Sequence, residues 1–350
     1  MSDNLQVRPL ATHEYNRWNR LVAEAPSGSP YARTDYLTVL SETTGDRFSC
    51  LGVFHGEELV GGCPLYFRRS KVGDQVIRRP LLACLSPVIR EVPSKSPHRR
   101  ASRQLAVLCS LANYLKTVDC AHMVLVFSPA LSDIRPFQSA GWTVRPEYSF
   151  LIDLSDMEAA WNRVDHNQAR LIRRAEAAGL VITNDDDFDS FFRLHIEIHK
   201  RKQATIYLPE EKFRAYFNRL KALNLCRLYH ARLPNGKAIA SQLVLTGPHP
   251  VTHTVCAGSD ADYLSLGGNP FLRWKVCESL SAIGYRANDL SGAPYPHDVS
   301  RFKSQLGAEL VLNWIAVRPE TLRYRAYKRI IHLVRKFARH RKITFKKGVF

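Results

Sequence analysis

The segment from Asp289 to Leu310, DLSGAPYPHDVSRFKSQLGAEL, puts a carboxylate, a hydroxyl and a lysine within a short reach of one another. Side chains on a strand alternate, so Asp289 and Ser291 share one face and Leu290 takes the other. Both polar groups then border a cleft at the strand's end, and Gly292 with the Pro294/Pro296 pair stops the strand. A carboxylate in that place accepts a proton or orients a nucleophilic amine; a strand-end Asp that satisfies a turn competes with this reading. Helical spacing from Asp298 to Gln305 turns Phe302 inward and leaves Arg301 and Lys303 at its flanks. From there the Lys303 ammonium reaches back toward the cleft, or else stays solvated on a helix that docks through Phe302.

Two further groups suit anions. Gly267 and Gly268 allow close backbone approach, Asn269 caps, and Pro270 fits a first helical turn, so the N–H groups of that helix start face a phosphate or close a plain strand-to-helix turn. Arg170, Arg173 and Arg174 cluster on one helix, where guanidinium groups grip phosphate in pairs or form an ordinary solvated face. Arg170 and Arg173, with Ser291, Gly292 and Arg301 at the cleft, are the candidate acceptor-binding residues. The stretch containing His195 and His199 lacks an HExxH pattern, and no Gly-x-Ser-x-Gly or Walker loop occurs, so neither a zinc site nor a serine nucleophile is expected.

The elements that must hold these residues follow from periodicity. Two alternating runs in FSCLGVFHGEELVGGCPLYF form a hairpin, VIRRPLLACL is a further apolar run, and Leu105 to Leu115 recur at helical spacing. A strand HMVLVF and the run from Trp142 to Leu154 close a first unit over residues 1–154. The second, 155–320, opens with helices at 167–178, 188–202 and 210–223. Strands CRLYHARL, AIASQLVLTG and VTHTVCAGS follow, then a helix from Pro270 to Ile283, the strand YRANDLSG, a short helix and the strand ELVLNWIAV. The fold class is α+β with mixed, largely antiparallel sheets, in two tandem units of similar order.

The chain has 350 residues and a net charge of +18. Eleven basic residues and no acid fall in 321–350, which leaves +7 for the rest. Tyr327, Ile330, Ile331, Val334, Phe337 and Ala338 recur there at helical spacing, so the tail is a basic amphipathic helix suited to an anionic membrane, to tRNA phosphates or to the protein's own body. Eight cysteines without a CxxC pair read as free thiols in a reducing compartment. No signal core and no run of about eighteen apolar residues occurs, so the expected location is cytoplasmic, at most peripheral at the inner face of the membrane.

The segment from His166 to Gly179, the loop Leu264 to Leu272 with its helix, Asp289-Leu290-Ser291-Gly292 and Arg301 to Gly307 together resemble the FemAB-like aminoacyl and acyl transferases. These are built from tandem Gcn5-related N-acetyltransferase domains of the BioF2-like kind. The resemblance covers most of the chain, is strongest from Trp142 to Val317, and leaves out the last thirty residues. It implies an acyl or aminoacyl group moved from an activated donor, an acyl-CoA or an aminoacyl-tRNA, to an amine on a peptidoglycan or polysaccharide precursor. The acceptor would be a phosphate-bearing small molecule or a lipid-linked one, and no metal or permanently bound cofactor is implied. It also implies that Lys303 lies at the transfer site and stabilises the oxyanion. At the glycine loop, where related domains hold coenzyme A pyrophosphate, this chain lacks the usual Gln/Arg-x-x-Gly-x-Gly. The alternative is a catalytically silent nucleic-acid or membrane-surface binding protein on the same fold.

Overall fold

The computed structural model describes residues 5–331 and 333, apart from residue 294. The first half runs β1 (Leu5–Pro9), α1 (Tyr15–Glu24), α2 (Thr34–Thr44), β2 (Arg47–His55), β3 (Glu58–Arg68), β4 (Gln75–Val76), β5 (Val88–Ile89), α3 (Pro97–Thr117), β6 (His122–Val126), α4 (Arg135–Ser139) and β7 (Thr143–Asp153). The second runs α5 (Met157–Asn162), α6 (His166–Ala177), β8 (Val181–Asn184), α7 (Phe188–Arg201), α8 (Glu210–Ala222), β9 (Cys226–Arg232), β10 (Ala238–Leu245), β11 (Val251–Ser259), α9 (Gly268–Ala282), β12 (Ala287–Asp289), α10 (Asp298–Gln305) and β13 (Glu309–Val317).

The strands form one continuous sheet in the order β1-β2-β3-β4-β6-β13-β7-β12-β11-β10-β9-β8, with β5 beside β3. Among the described residues only β4–β6 and β11–β12 pair in parallel, each after a helical crossover through α3 or α9. The expected mixed, largely antiparallel α+β fold is present. The halves interleave: β13, the last strand of the chain, lies between β6 and β7, and β7 pairs with β12. Strand β10 is buried along its whole length because both faces are covered, and it reads as apolar except for the buried Ser241 and Gln242.

Helices α7 and α8 carry Phe188, Phe191, Phe213 and Phe217 into the same apolar core as Leu37 and Leu51 of the first half. There the Tyr36 and Tyr216 hydroxyls meet at 2.9 Å. A second core under α6 and α9 packs Ile172, Phe271, Leu272 and Leu280 against Phe150 and Ile239.

Several elements differ from the sequence expectations. Of VIRRPLLACL, only Val76 stands in a regular strand, in the two-residue β4; Pro80 has no N–H for a ladder, and Arg79 and Leu82 instead bond each other in a tight turn. Strand β12 is three residues long rather than the eight of YRANDLSG. Ser291 is in a left-handed conformation, φ 63°, and its amide bonds back to Asp289. Helix α10 buries Lys303, leaves Phe302 half-buried and Arg301 exposed, which reverses the expected inward Phe302.

Candidate functional site

The parallel ladder of β11 and β12 covers three pairs, Val251 with Ala287, Thr252 with Asn288 and His253 with Asp289, and β12 stops there while β11 continues to Ser259. A parallel pair that ends in this way leaves an opening at the carboxyl ends of its strands, where ligands of α/β sheets bind. Alternation divides the chemistry between the two faces. Toward α9 point Thr252, Thr254 and Asn288, joined to one another and to Gln242: the Thr252 hydroxyl lies 3.2 Å from Asn288 Oδ1, Asn288 Nδ2 lies 3.3 Å from the Thr254 hydroxyl, and Gln242 Nε2 lies 2.9 Å from it. Away from α9 point His253 and Asp289.

That second face opens into a cavity of about 210 Å³ between the halves. Its walls are mostly apolar, with Ala83, Val126, Leu151 and Val251 among them, and Ser29 and Asn313 also face it. Asp289 Oδ2 is 3.4 Å from His253 Nδ1, and His253 Nε2 is 3.2 Å from the Ser29 hydroxyl. Asp289 Oδ1 accepts from the Ser149 hydroxyl and, at 2.7 Å, from the Ser291 amide. Burial alone would raise the Asp289 carboxyl, but the hydrogen bond and charge of His253, with Ser149 and Ser291, outweigh it and hold the group below its ordinary range. Asp289 is therefore an ionised carboxylate at neutral pH. His249 is fixed differently: its Nε2 donates to the Ala25 carbonyl at 3.3 Å and its Nδ1 accepts the Val251 amide at 3.2 Å. Burial, then the neighbouring His253, push it down to about 4.

Lys303 closes the cavity from behind. Its Nζ donates to the carbonyls of Ser291 at 2.8 Å and Gly292 at 3.2 Å, so the lysine pins the loop whose other side lines the cavity. Gly292 is required there, since a Cβ would lie 2.4 Å from the Tyr148 carbonyl oxygen. Burial pushes the Lys303 ammonium down to about 8, with Arg273 and Lys202 adding to the fall and Asp289 opposing it. Arg273 itself lies on α9 with its Nε buried and unpartnered. A guanidinium stays charged in any biological condition, so Arg273 and Lys202 offer positive charge to an anion near Lys303.

Residues 162–304 match the acetyltransferase (GNAT) domain family. The match falls within the second half and covers less than half of the chain. The whole chain shares the fold of "FemX", with a TM-score of 0.69, 11% identity, 88% of this chain and 96% of that one covered. A lysylphosphatidylglycerol synthetase C-terminal domain from Agrobacterium fabrum gives 0.56, 13%, 90% and 95%. A tandem GNAT protein from the clavulanic acid biosynthesis pathway gives 0.53, 14%, 91% and 98%. No curated protein matches the chain by sequence. The resemblance to FemAB-like tandem GNAT proteins, expected from the sequence, holds. GNAT domains transfer acyl groups and work with an acyl-CoA as co-substrate; an aminoacyl-tRNA donor gains no support from these likenesses.

Within the matched segment the structure brings Asp289, Ser291, Gly292 and Lys303 to one place and leaves the other candidates elsewhere. Gly267, φ 76°, and Gly268 start α9, but their close approaches are to protein: a Cβ on Gly267 would lie 2.6 Å from the Leu171 carbonyl oxygen, and one on Gly268 would lie 2.9 Å from Ile239. These glycines and the half-buried Asn269 are not among the cavity's lining residues. Arg170, Arg173 and Arg301 are exposed and away from its walls, with Arg173 over the Trp161 ring at 5.6 Å.

Ser29 and His253 escaped the sequence reading, as did Ser149 and Asn313 beside them. The only sequence signal for His253 is its alternation with Val251 in VTHTVCAGS; nothing near Ser29 marks it. A carboxylate and imidazole group at Asp185, Asp187 and His230 also forms, with ligand atoms within 4.8 Å, but the Arg232 guanidinium already pairs with both carboxylates, at 3.0 and 2.8 Å.

Cys109 is exposed, Cys84 half-buried and the other six cysteines buried, all of them free. Residues 322–331 are helical, with Leu322 and Ile330 exposed and Tyr324 stacked on His122. Val334, Phe337, Ala338 and the basic residues from Arg335 onward lie outside the described residues. No helix among the described residues is long and apolar enough to cross a membrane.

Proposed function

We propose that the protein transfers an acyl group from an acyl-CoA to an amine, with His253 and Asp289 taking the amine's proton. The observation that carries this reading is the ionised Asp289 set against His253 in an apolar cavity at the end of the β11–β12 ladder. An amine must lose a proton to become an amide nitrogen, and an imidazole backed by a carboxylate is the usual acceptor. Asn313 Oδ1 is buried in the cavity wall without a partner, which suits an incoming N–H. The donor would come from the α9 side, where Arg273, Lys202 and the first turn of α9 with Gly267, Gly268 and Asn269 suit its phosphates.

Lys303 serves in this reading by holding the Ser291–Gly292 loop and by placing positive charge beside the developing oxyanion. The acceptor is an amine carrying an apolar group, since the charged groups facing the cavity besides Asp289 and its histidines are Arg78 and Glu147, paired at 2.9 Å. At the cavity's edge Tyr148 is half exposed beside its cross-strand neighbour Leu312. A cell-envelope or polysaccharide precursor with a lipid part fits that edge, and the like fold of a lysylphosphatidylglycerol synthetase is in keeping with it. Arg170, Arg173 and Arg301 would then meet phosphates outside the cavity, and the basic tail would meet an anionic membrane. We place the functional division at 1–154, 155–320 and 321–350, the second segment carrying the transfer site.

The test is the thermal midpoint of the protein with acetyl-CoA, with longer acyl-CoAs and with charged tRNA, followed by thiol release on adding amines. A donor at a hundred times its dissociation constant raises stability by about 2.7 kcal/mol. A shift with acyl-CoA and amine-dependent thiol release support the reading. A shift with charged tRNA alone replaces the donor, and no shift with either returns the chain to a surface-binding role.

A further inference from the structure

We infer that Ser29 is a nucleophile activated by His253 and Asp289, so that the acyl group passes through a serine ester on its way to the acceptor. This rests on the acyl-transfer reading and adds a covalent step to it. The three residues come from distant segments, Ser29 from the loop after α1, His253 from β11 and Asp289 from β12, and they meet only where the halves join.

Their hydrogen bonds run in one direction. The Tyr31 amide donates to the Ser29 oxygen at 3.2 Å, which leaves the serine hydrogen to donate to His253 Nε2 at 3.2 Å. His253 Nδ1 faces Asp289 Oδ2 in an ion-pair contact at 3.4 Å, while Ser149 and the Ser291 amide occupy Oδ1. The ionised carboxylate thereby selects the tautomer that keeps Nε2 free to take the serine proton. This is the nucleophile, base and orienter arrangement, assembled without a sequence motif.

A serine that only caps the short Pro30–Ala32 turn needs no more than the Tyr31 amide. His249 shows what a purely structural histidine of this segment looks like: both its nitrogens are spent on backbone groups. His253 instead spends one nitrogen on a carboxylate and aims the other at a hydroxyl that lines the cavity.

In the first step the Ser29 oxygen attacks the carbonyl carbon of an acyl thioester, the C–S bond breaks, and the serine proton passes through His253 Nε2 to the leaving thiolate. In the second an amine attacks the ester carbonyl, its proton passes to His253, and the serine oxygen leaves and recovers that proton. With water in place of the amine the same steps give a carboxylic acid.

The experiment treats the full chain with a small fluorophosphonate and maps the modified residue, then acid-quenches the chain with acetyl-CoA and reads the intact mass. The expected result is phosphonylation at Ser29, an acetyl adduct on the same peptide, neither in Ser29→Ala, and labelling about 100-fold slower in His253→Gln. Ser29→Cys guards against loss of the cap: iodoacetamide should alkylate the introduced thiol faster than the exposed Cys109, despite the burial of the new position. Amine-dependent thiol release that persists in Ser29→Ala, with no label on the native chain, overturns the inference and leaves direct transfer standing. Label and adduct at Ser29 without amine transfer sustain the inference and overturn the amine acceptor instead.

Discussion

The two parallel strand pairs of the molecule have the same topology and opposite chemistry. At β4–β6 the facing residues Val76 and Met123 are buried, and the chain runs on through Leu125 to Phe127 just past the end of β6. Phe127 stacks edge-on against Phe137 at 5.1 Å, and Phe137 against Trp142 at the same distance. His122, beside Gln75, turns outward to Tyr324 and Glu320. At β11–β12 the corresponding places hold Thr252 with Asn288 and His253 with Asp289, and the end of the pair is open to a cavity. Topology offers an opening at both places; side chains close the first with aromatic rings and keep the second polar and accessible. In a duplicated fold, one copy can thus become the wall of the other copy's site.

The sharpest way to break this contrast is Asp289→Asn, which leaves the shape and removes the charge. Transfer should fall by about 10²- to 10⁴-fold with the donor-induced thermal shift retained, whereas Met123→Leu at the first pair should leave transfer unchanged. Equal losses from both would show that the first pair is part of the site. Next comes Phe137→Ala, which opens the plugged end and should cost about 3–5 kcal/mol in urea unfolding. A cost under about 1 kcal/mol would mean that the aromatic plug carries no stability.

Acid should act chiefly on the second half. Burial holds His195 and His249 down to about 4, so from about 6.5 to about 4 the unfolded chain binds protons that the native one does not. Their contribution is complete above about pH 6.5 and is lost as pH falls to about 4, up to about 3 kcal/mol for each. The urea midpoint at pH 4.5 should be well below that at pH 7, and His249→Asn should flatten the dependence.

The smallest effect belongs to the buried amide network: Asn288→Leu takes one partner from each of the Thr252 and Thr254 hydroxyls, which keep the Ala287 carbonyl and Gln242, and should cost about 1–3 kcal/mol. A neutral result would show that water replaces the lost partner.

Much of the frame was legible in the chain. The run ELVLNWIAV is β13 to the residue, and α7 and α8 end within one residue of the expected limits, because their apolar periods are strong and uninterrupted. Asp289, Ser291, Gly292 and Lys303 were legible as a group because a strand end, a turn and a short helix bring them together locally. The left-handed Ser291 was not, since only the Asp289 carboxylate makes that conformation favourable. Lys303 was expected on a helix flank, yet it is the buried residue of α10, because two loop carbonyls offer its ammonium partners that the sequence does not reveal. The glycines at the start of α9 were read as allowing close backbone approach, and the approaches their Cα atoms make are to Leu171 and Ile239.

By itself the sequence determined most of the longer elements, their order and the α+β class, because periodicity, turn residues and helix stops act over a few residues. It also determined the charge imbalance between body and tail. Only the tertiary structure decided that β13 would enter the sheet between β6 and β7, that one parallel pair would be plugged and the other open, and that Ser29 would face His253 across 224 positions of chain. Such contacts depend on which faces two halves bury against each other. That choice is made by the summed packing of both cores and leaves no local pattern around the residues it brings together.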